Sequence, residues 1–424
     1  MVDKITSLAH YDDFIKNLQE EIVKLKDGTI GIIYEDIKYF KYFNDTYGYK
    51  RGDELLMRMA NLSIHGGRGV IGGSRVVSDN IVWAVLFEKG SPNDIYSIIA
   101  ETTAAREKIL REEFDCTRIR LAVGVYLIDK ENKNINPETA VSNANLARKK
   151  AKEAGSSSVT FFKEEMADNL NHELEIISSI DNAIETKEFM AYYQPKILSE
   201  DRSITGAEAL VRWKKDGKFI YPDQFIPAIE RSCQIIDVDY YMYNEVFAFI
   251  RKRLDAGLKV VPISLNVSRQ HLKNLAIIDY IKGLLEKYKI PTEYLEFELT
   301  ETVCMEDTEN VMQFIDSFHE MGIKVSMDDF GSGFSSLNLL SEMPLDIIKL
   351  DRCFLHSNSL QDKEKIVISN IIRMTKELEM MSLCEGVETK QQSDFLKEIG
   401  CDIQQGYFYS RPLCEEEFVE MLEA

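Results

Sequence analysis

The sequence predicts two unlike folds in tandem: an α+β domain over residues 1–165, then an α/β barrel of the (β/α)8 type over 175–424, with a helical connector at 166–188. Three observations support the barrel. Eight strand-like runs succeed one another at Met190–Lys196, Ile204–Trp213, Val260–Val267, Tyr294–Thr300, Ile323–Met327, Asp346–Leu350, Ser382–Glu385 and Asp402–Tyr407. Helix-like stretches separate most of them, at Val238–Leu254, Leu272–Tyr288, Glu309–Glu320, Glu364–Glu379 and Lys390–Ile399. An open, doubly wound sheet would carry a glycine-rich nucleotide loop after its first strand, and none follows here, so the strands are expected to close on themselves.

In the first domain, Thr29–Tyr34 reads as a buried strand, Gly52–Ile64 as an amphipathic helix and Asn80–Phe87 as another strand. Asp94–Arg111 then reads as a helix, Arg118–Ile128 as a half-buried strand by its alternation, and Pro137–Ala154 as a helix with proline in its first turn. Val159–Phe162 is a short closing strand. This order predicts helices around a largely antiparallel sheet. In the connector, Ile176, Ile177, Ile180, Ala183 and Ile184 recur at helical spacing, which predicts a packed helix.

At 424 residues, with 45% hydrophobic and 29% charged content, the chain has the composition of a soluble globular protein of two or three domains. A formal net charge of −20 argues against polymeric nucleic acid as a partner, because neutralising phosphates needs a basic surface. No signal peptide and no apolar run approaching the ~18 residues of a membrane span are found, so the expected location is cytoplasmic. The seven cysteines are scattered and never form a CxxC pair, which fits free thiols of a reducing compartment better than disulfides or a zinc site.

A barrel carries its chemistry at the C-terminal ends of its strands. Those ends read Gln194, Glu208 with Arg212, Asn266, Glu298 with Glu301, Asp328 with Asp329, Lys349 with Asp351, Glu385 with Glu388, and Gln405. Five or more carboxylates on one rim would repel each other and raise their own pKa values, and divalent cations are the natural remedy. The donors are hard oxygens without histidine, which favours Mg2+ or Mn2+ over zinc. His10, His65, His172, His271, His319 and His356 fall elsewhere and read as surface or helix residues. The stretch Ile323–Leu337 is the centre of this pattern: a β-prone run delivers Asp328 and Asp329, and Gly331 and Gly333 end the strand. Neighbouring strand residues point to opposite faces, so both aspartates can serve one site only where the strand stops. The plainer reading is an Asx turn with Asp329 capping a helix near Ser335.

The N-terminal run from Asp36 to Tyr49, followed by Gly52-Asp53 and Leu55-Leu56 and ending at Ala151-Lys152 and Gly155, resembles the GGDEF (diguanylate cyclase) family. The departures imply a degenerate member. Lys38 stands for a metal-side aspartate, and Asp79-Asn80-Ile81-Val82-Trp83 aligns with the Gly-Gly-Asp/Glu-Glu-Phe hairpin. Val70 and Gly73 replace the Arg-x-x-Asp inhibition site. No synthesis of cyclic di-GMP is expected. Asn44 and Asp53 remain where the resemblance places guanine contacts, a candidate regulatory nucleotide site. An Asn-Asp turn and a helix N-cap are the plainer readings and outweigh it.

The barrel half resembles the EAL family of cyclic di-GMP phosphodiesterases through Glu208-Ala209-Leu210 with Arg212-Trp213, Asn266-Val267-Ser268, Glu298-Leu299-Thr300-Glu301, Asp328-Asp329-Phe330-Gly331, Lys349-Leu350-Asp351, Glu385-Gly386-Val387-Glu388 and Gln405-Gly406-Tyr407. Departures are Ser332, Phe334 and Cys233. The resemblance implies a TIM-type barrel and hydrolysis of cyclic di-GMP to linear pGpG with two ions, Mg2+ or Mn2+. It assigns Glu208, Asn266, Glu298 and Asp328 to one ion, with Asp328 bridging to a second ion at Asp329 and Glu385. Lys349 would orient the attacking water, and Glu385 is open to either a ligand or a general-base role. Glu301 would brace the loop after Asp329, with a helix-start carboxylate as the competing reading. Gln194, Arg212 and Gln405 would contact substrate. The resemblance also favours a homodimer. From a different class, the barrel would be a cyclic di-GMP receptor that signals to a partner without cutting the ligand. The N-terminal domain is expected to regulate the barrel, by binding GTP without turnover or by shaping the dimer.

Overall fold

The computed structural model describes residues 2–66, 69–88, 90–153, 158–331, 340, 342–355 and 362–424. The chain forms two compact units, Met1–His172 and Glu173–Ala424. The first contains α1 (Tyr11–Lys24), β1 (Thr29–Ile37), α2 (Phe40–Tyr47), α3 (Tyr49–Gly66), β2 (Val70–Arg75), β3 (Ile81–Phe87), α4 (Pro92–Phe114), β4 (Leu121–Ile128), α5 (Pro137–Glu153) and β5 (Ser158–Phe161). Its sheet order is β2-β3-β1-β4-β5, with β1 antiparallel to both neighbours and β5 parallel to β4. Alternation along β1 splits the core in two. Ile32 and Tyr34 meet Phe14, Leu18 and Ile22 of α1 and Ala140 and Ala144 of α5 on one face. Ile33 and Ile37 meet Phe43, Leu55, Met59 and Ile99 of α2, α3 and α4 on the other.

Three elements here were not expected, α1, α2 and β2. The β2 sequence Val-Ile-Gly-Gly-Ser-Arg has little intrinsic strand preference and is recruited by pairing with β3. That pairing also places the hairpin turn. Arg75 faces Ile81, so the turn is Val76–Asn80, closed by Val76 N–H donating to the Asn80 carbonyl at 2.9 Å. Ile81, Val82 and Trp83 are buried strand residues, since a β-prone run wins over a turn whose chemistry sits in Ser78-Asp79-Asn80. The N-cap and turn readings of Asp53 and Asn44 are corrected too. Asn44 lies inside α2, and Asp53 is exposed within α3, which starts four residues earlier than Asp53.

A helix, α6 (Glu164–Glu185), spans the boundary between the units. In the second unit its Ile176, Ile180 and Ala183 pack with Phe189, Trp213 and Phe225, as the helical spacing predicted. Beyond it lie β6 (Phe189–Leu198), β7 (Ile204–Lys215), β8 (Lys218–Ile220), α7 (Pro222–Arg231), α8 (Ile235–Asp255), β9 (Ile263–Asn266), α9 (Ala276–Tyr288), β10 (Leu295–Thr300), α10 (Glu301–Glu306) and α11 (Thr308–Glu320). β11 (Lys324–Phe330), β12 (Ile347–Leu350), α12 (Asp362–Glu377), β13 (Met381–Cys384), α13 (Lys390–Glu398), β14 (Ile403–Gln404) and α14 (Glu415–Glu423) complete it. Eight strands close in the order β6-β14-β13-β12-β11-β10-β9-β7, with β7 returning to β6 and β8 appended to β7 as a hairpin. All eight expected strands are present. One direction differs from a regular (β/α)8 barrel: β6 runs antiparallel to both β7 and β14. A short turn after β6 connects it to β7, and an antiparallel hairpin needs no crossover helix.

The strands bury apolar side chains outward beneath the helices. On β10, Leu295, Phe297 and Leu299 join the main core, where Phe297 lies 4.8 Å from the Phe318 ring of α11. Alternation then places Glu296 and Glu298 together on the opposite face, toward the barrel interior. Among the histidines, expected on the surface or in helices, His271 lies in a short 3-10 helix (Arg269–Lys273), where it is buried and hydrogen-bonds Asp239 at 3.0 Å. Among the described residues, no helix is long and apolar enough to cross a membrane.

Candidate active site

The acidic strand ends converge. Oxygens of Glu208, Glu298 and Asp328 lie within 4.8 Å of one another, and so do those of Asp328, Asp329 and Glu385. Asp328 belongs to both groups. Its pairing with Asp329 depends on an irregularity that the sequence did not signal. The strand does not stop at Met327 but continues to Phe330, with a register shift against β12 between those residues. Asp329 adopts φ +57, so the bulge turns a second consecutive carboxylate toward the same side. Gly331 follows at φ +93, and a side chain there would strike the Phe354 ring. Gly333 and the proposed helix start at Ser335 lie outside the described residues, as do Ser332 and Phe334.

Lys349, fully buried on β12, binds into both groups. Its Nζ is 2.5 Å from Glu298, 2.8 Å from Glu385, 3.0 Å from Asp328 and 3.4 Å from Glu208. Burial opposes its charge, but these carboxylates more than offset that and hold the ammonium protonated. Asn266 Nδ2 donates to Glu208 Oε1 at 3.2 Å. Gln405 Nε2 donates to Glu208 Oε2 at 2.7 Å and to Gln194 Oε1 at 3.3 Å. Gln194, on the antiparallel strand, thus reaches the site from mid-strand, opposite Glu208 in register, and not from a strand end. Arg212 is half-buried, stacked over Tyr192, and donates to the Val211 carbonyl. Burial lowers its pKa, and no carboxylate pairs with it among the described contacts. Glu301 is buried at the start of α10 and accepts the Gly331 N–H at 2.8 Å, which ties it to the turn after Asp329. Glu388 is exposed before α13, whose N-cap is Thr389.

Two residues of the site went unseen in the sequence. Lys196 Nζ lies 2.9 Å from Glu296 Oε1 and 3.0 Å from Glu298 Oε1, all three side chains being buried in the barrel interior. The signal was available: Glu296 sits two residues before Glu298 and therefore on its face. Counting them, six carboxylates (Glu208, Glu296, Glu298, Asp328, Asp329, Glu385) meet two ammonium groups. Four negative charges are formally left over. Burial raises the pKa of Glu208 and Asp328, with Lys349 opposing, and raises Asp329 with help from Asp351. Glu385 is pushed up to about 8 by burial, with Lys349 opposing and Asp328 and Glu208 adding to it. Glu298 is the exception: burial would raise it, but Lys349 and Lys196 together pull it to about 2. Two divalent cations would balance the surplus, and the all-oxygen donor set suits hard ions.

The EAL domain family model matches residues 177–412. The chain belongs to the EAL domain family. Ahead of that domain, residues 1–158 match the model for diguanylate cyclase, GGDEF domain, so this is a GGDEF–EAL tandem. Among curated relatives, the chain is 28% identical over 425 residues to the bifunctional diguanylate cyclase/cyclic di-GMP phosphodiesterase MucR of Pseudomonas aeruginosa, covering 98% of this chain and 61% of that protein. It is 27% identical to the cyclic di-GMP phosphodiesterase NbdA of the same organism, covering 100% of this chain and 54% of the relative. The tandem thus spans somewhat over half the length of these relatives. Among solved structures, the EAL domain resembles the P. aeruginosa MucR phosphodiesterase in complex with c-di-GMP, at 29% identity and TM-score 0.55, covering 57% of this chain and 99% of that one. The S helix–GGDEF–EAL structure of Vibrio cholerae LapD shares the fold over 96% of this chain and 95% of its own, at 18% identity and TM-score 0.55.

Proposed function

We propose that the EAL barrel hydrolyses cyclic di-GMP to the linear dinucleotide pGpG, using two divalent cations, Mg2+ or Mn2+. The observation that carries this reading is the pair of carboxylate groups sharing Asp328, with a formal surplus of four negative charges in a buried mouth. Relatives named as cyclic di-GMP phosphodiesterases, and a MucR phosphodiesterase solved with c-di-GMP, support the substrate. Glu208, Asn266, Glu298 and Asp328 would hold one ion, and Asp328, Asp329 and Glu385 the other. When bound, such ions supply Lewis acidity toward the phosphoryl oxygens and an acidified water.

The chain's own groups do the rest. Lys349 holds four carboxylates at one centre and adds positive charge beside the phosphodiester. Burial pushes the Glu385 carboxyl up to about 8, so it holds its proton at neutral pH without cations; beside bound cations it would be ionised, and would then serve as a ligand or take a proton from an attacking water. Water then adds across one phosphodiester, the 3′ oxygen leaves, and pGpG results. Arg212, with its guanidinium not committed to a carboxylate, would bind a phosphate, while Gln194 and Gln405 would contact the nucleotide edge. Glu301 fixes the Gly331 turn and through it Asp329. The N-terminal unit is proposed to be inactive as a cyclase, because its hairpin Val76–Asn80 has no glycine for close approach to a triphosphate. The test is incubation of the full chain with cyclic di-GMP and Mg2+ or Mn2+, with product analysis. The expected result is pGpG with metal and none in excess chelator. Binding without any cleavage would instead favour a receptor.

A further inference from the structure

Beneath the acidic mouth lies a second polar layer, formed by Lys196 of β6, Glu296 of β10 and Ser326 of β11, each almost inaccessible. Glu296 Oε1 accepts from Lys196 at 2.9 Å and from Ser326 Oγ at 2.7 Å. A buried ion pair of this kind is seldom a source of stability, since apolar residues of the same volume would do as well or better. Its geometry offers another use. Lys196 also donates to Glu298 Oε1 at 3.0 Å, whereas Glu298 Oε2 accepts from Lys349, the ammonium shared with Glu208 and Asp328. The two oxygens of Glu298 are therefore distinguished: one is taken from below, the other is turned toward the mouth.

We infer that Lys196 is a positioning residue, held in place by Glu296 and Ser326, that pins Glu298 Oε1 so that Oε2 alone is presented to a divalent cation. A carboxylate without such a pin can rotate between one-oxygen and two-oxygen contact with an ion, and both affinity and the placement of the neighbouring ligands then vary. The inference rests on the proposed phosphodiesterase reading, in which Glu298 holds an ion. It goes beyond that reading because the reading gives Lys196, Glu296 and Ser326 no role.

The test uses the full chain and Mn2+ alone as the probe, titrated by calorimetry and by the electron paramagnetic resonance signal of free Mn2+. Lys196→Met combined with Glu296→Gln removes the pin and keeps the net charge. Mn2+ binding is expected to weaken about 10–100-fold. In turnover assays kcat should fall while KM for cyclic di-GMP stays within about twofold. Lys196→Gln with Glu296→Gln restores a neutral donor at the same place and should recover part of the Mn2+ affinity. Ser326→Ala, a mild change that keeps the fold, should weaken Mn2+ binding in the same direction by a smaller factor. Wild-type Mn2+ affinity in the Met/Gln protein, or no gain from the Gln/Gln protein, would overturn the inference and leave Lys196 a mere charge counterweight. A wild-type chain that binds no Mn2+ and cleaves nothing would instead refute the phosphodiesterase reading, and the inference with it.

Discussion

Both units of this chain carry buried acidic side chains near the end of a strand, and they neutralise them differently. In the N-terminal unit Asp36 of β1 is bonded by Arg148 and lies 2.7 Å from Lys152, both from α5. Its neighbour Glu35 is bonded by Arg106 of α4 and by Trp83 Nε1 at 3.1 Å. Resident cations thus match the carboxylates, and among the described residues of that unit no group of three candidate ligands converges. In the barrel, six carboxylates share two ammonium groups, which leaves a formal surplus of four charges for protons or bound cations to balance. The lesson is that acidic residues at a strand end signal a metal site only after the resident cations have been counted. Sequence does not permit that count when the cations come from a helix more than a hundred residues away, as Arg148 and Lys152 do for Asp36.

The contrast can be broken most directly at Asp328. Asp328→Asn removes the residue common to both carboxylate groups, and turnover with Mn2+ is expected to fall about a thousandfold or more, roughly 4 kcal/mol in the barrier. Circular dichroism should show the fold retained. Near-normal turnover would sever the barrel's charge surplus from its activity. Glu301→Ala acts at one remove, through the Gly331 N–H. A loss of about 10–100-fold in kcat is expected, of the size seen when an outer partner of a ligand is removed.

A third test uses pH. The folded-state pKa of Glu385, about 8, lies above the ordinary carboxylate value, so between those two values the folded chain binds more protons than the unfolded one. The metal-free barrel should therefore be most stable below the ordinary value and lose stability as pH rises toward 8. Glu385→Gln should flatten that slope, and so should added Mn2+, both read in melting curves. A slope of the opposite sign would refute the charge-surplus picture. The smallest effect is expected in the N-terminal unit. GTP should yield no cyclic di-GMP, and calorimetry should show only weak GTP binding at the site of Asn44 and Asp53. Asp36→Asn, by freeing Arg148 and Lys152, should tighten that binding a few-fold. No heat at millimolar GTP with either protein would leave the unit as a scaffold.

Much of the barrel was legible because each strand leaves a β-prone run of fixed spacing, and its donors were legible because carboxylates are rare in such runs. What escaped depended on partners distant in sequence. The antiparallel course of β6 is set by its hairpin with β7, not by anything within Phe189–Leu198. The bulge at Asp329 arises in pairing with β12, so an expected strand end became a continuous strand. Lys196 stands at the end of an expected strand, and only closure of the barrel brings it to Glu296 and Glu298. In the N-terminal unit β2 hid for the same reason, its two glycines concealing a strand that exists through β3.

The reversed first strand also bears on how the barrel assembles. β6 and β7 meet through a turn of a few residues, so their long ladder, Phe189↔Trp213 to Ile197↔Ile204, has a low closure entropy and can form early. The other flank of β6 is different, because β14 lies some two hundred residues onward and contributes only Ile403 and Gln404 to the seam. Ring closure must therefore await the last strand, and it ends at a ladder of two paired positions, as short as that between β13 and β14. We expect hydrogen exchange to find the β6–β7 amides among the slowest of the domain and those of the β6–β14 seam among the first to open. Equal protection on both flanks of β6 would count against this order of assembly.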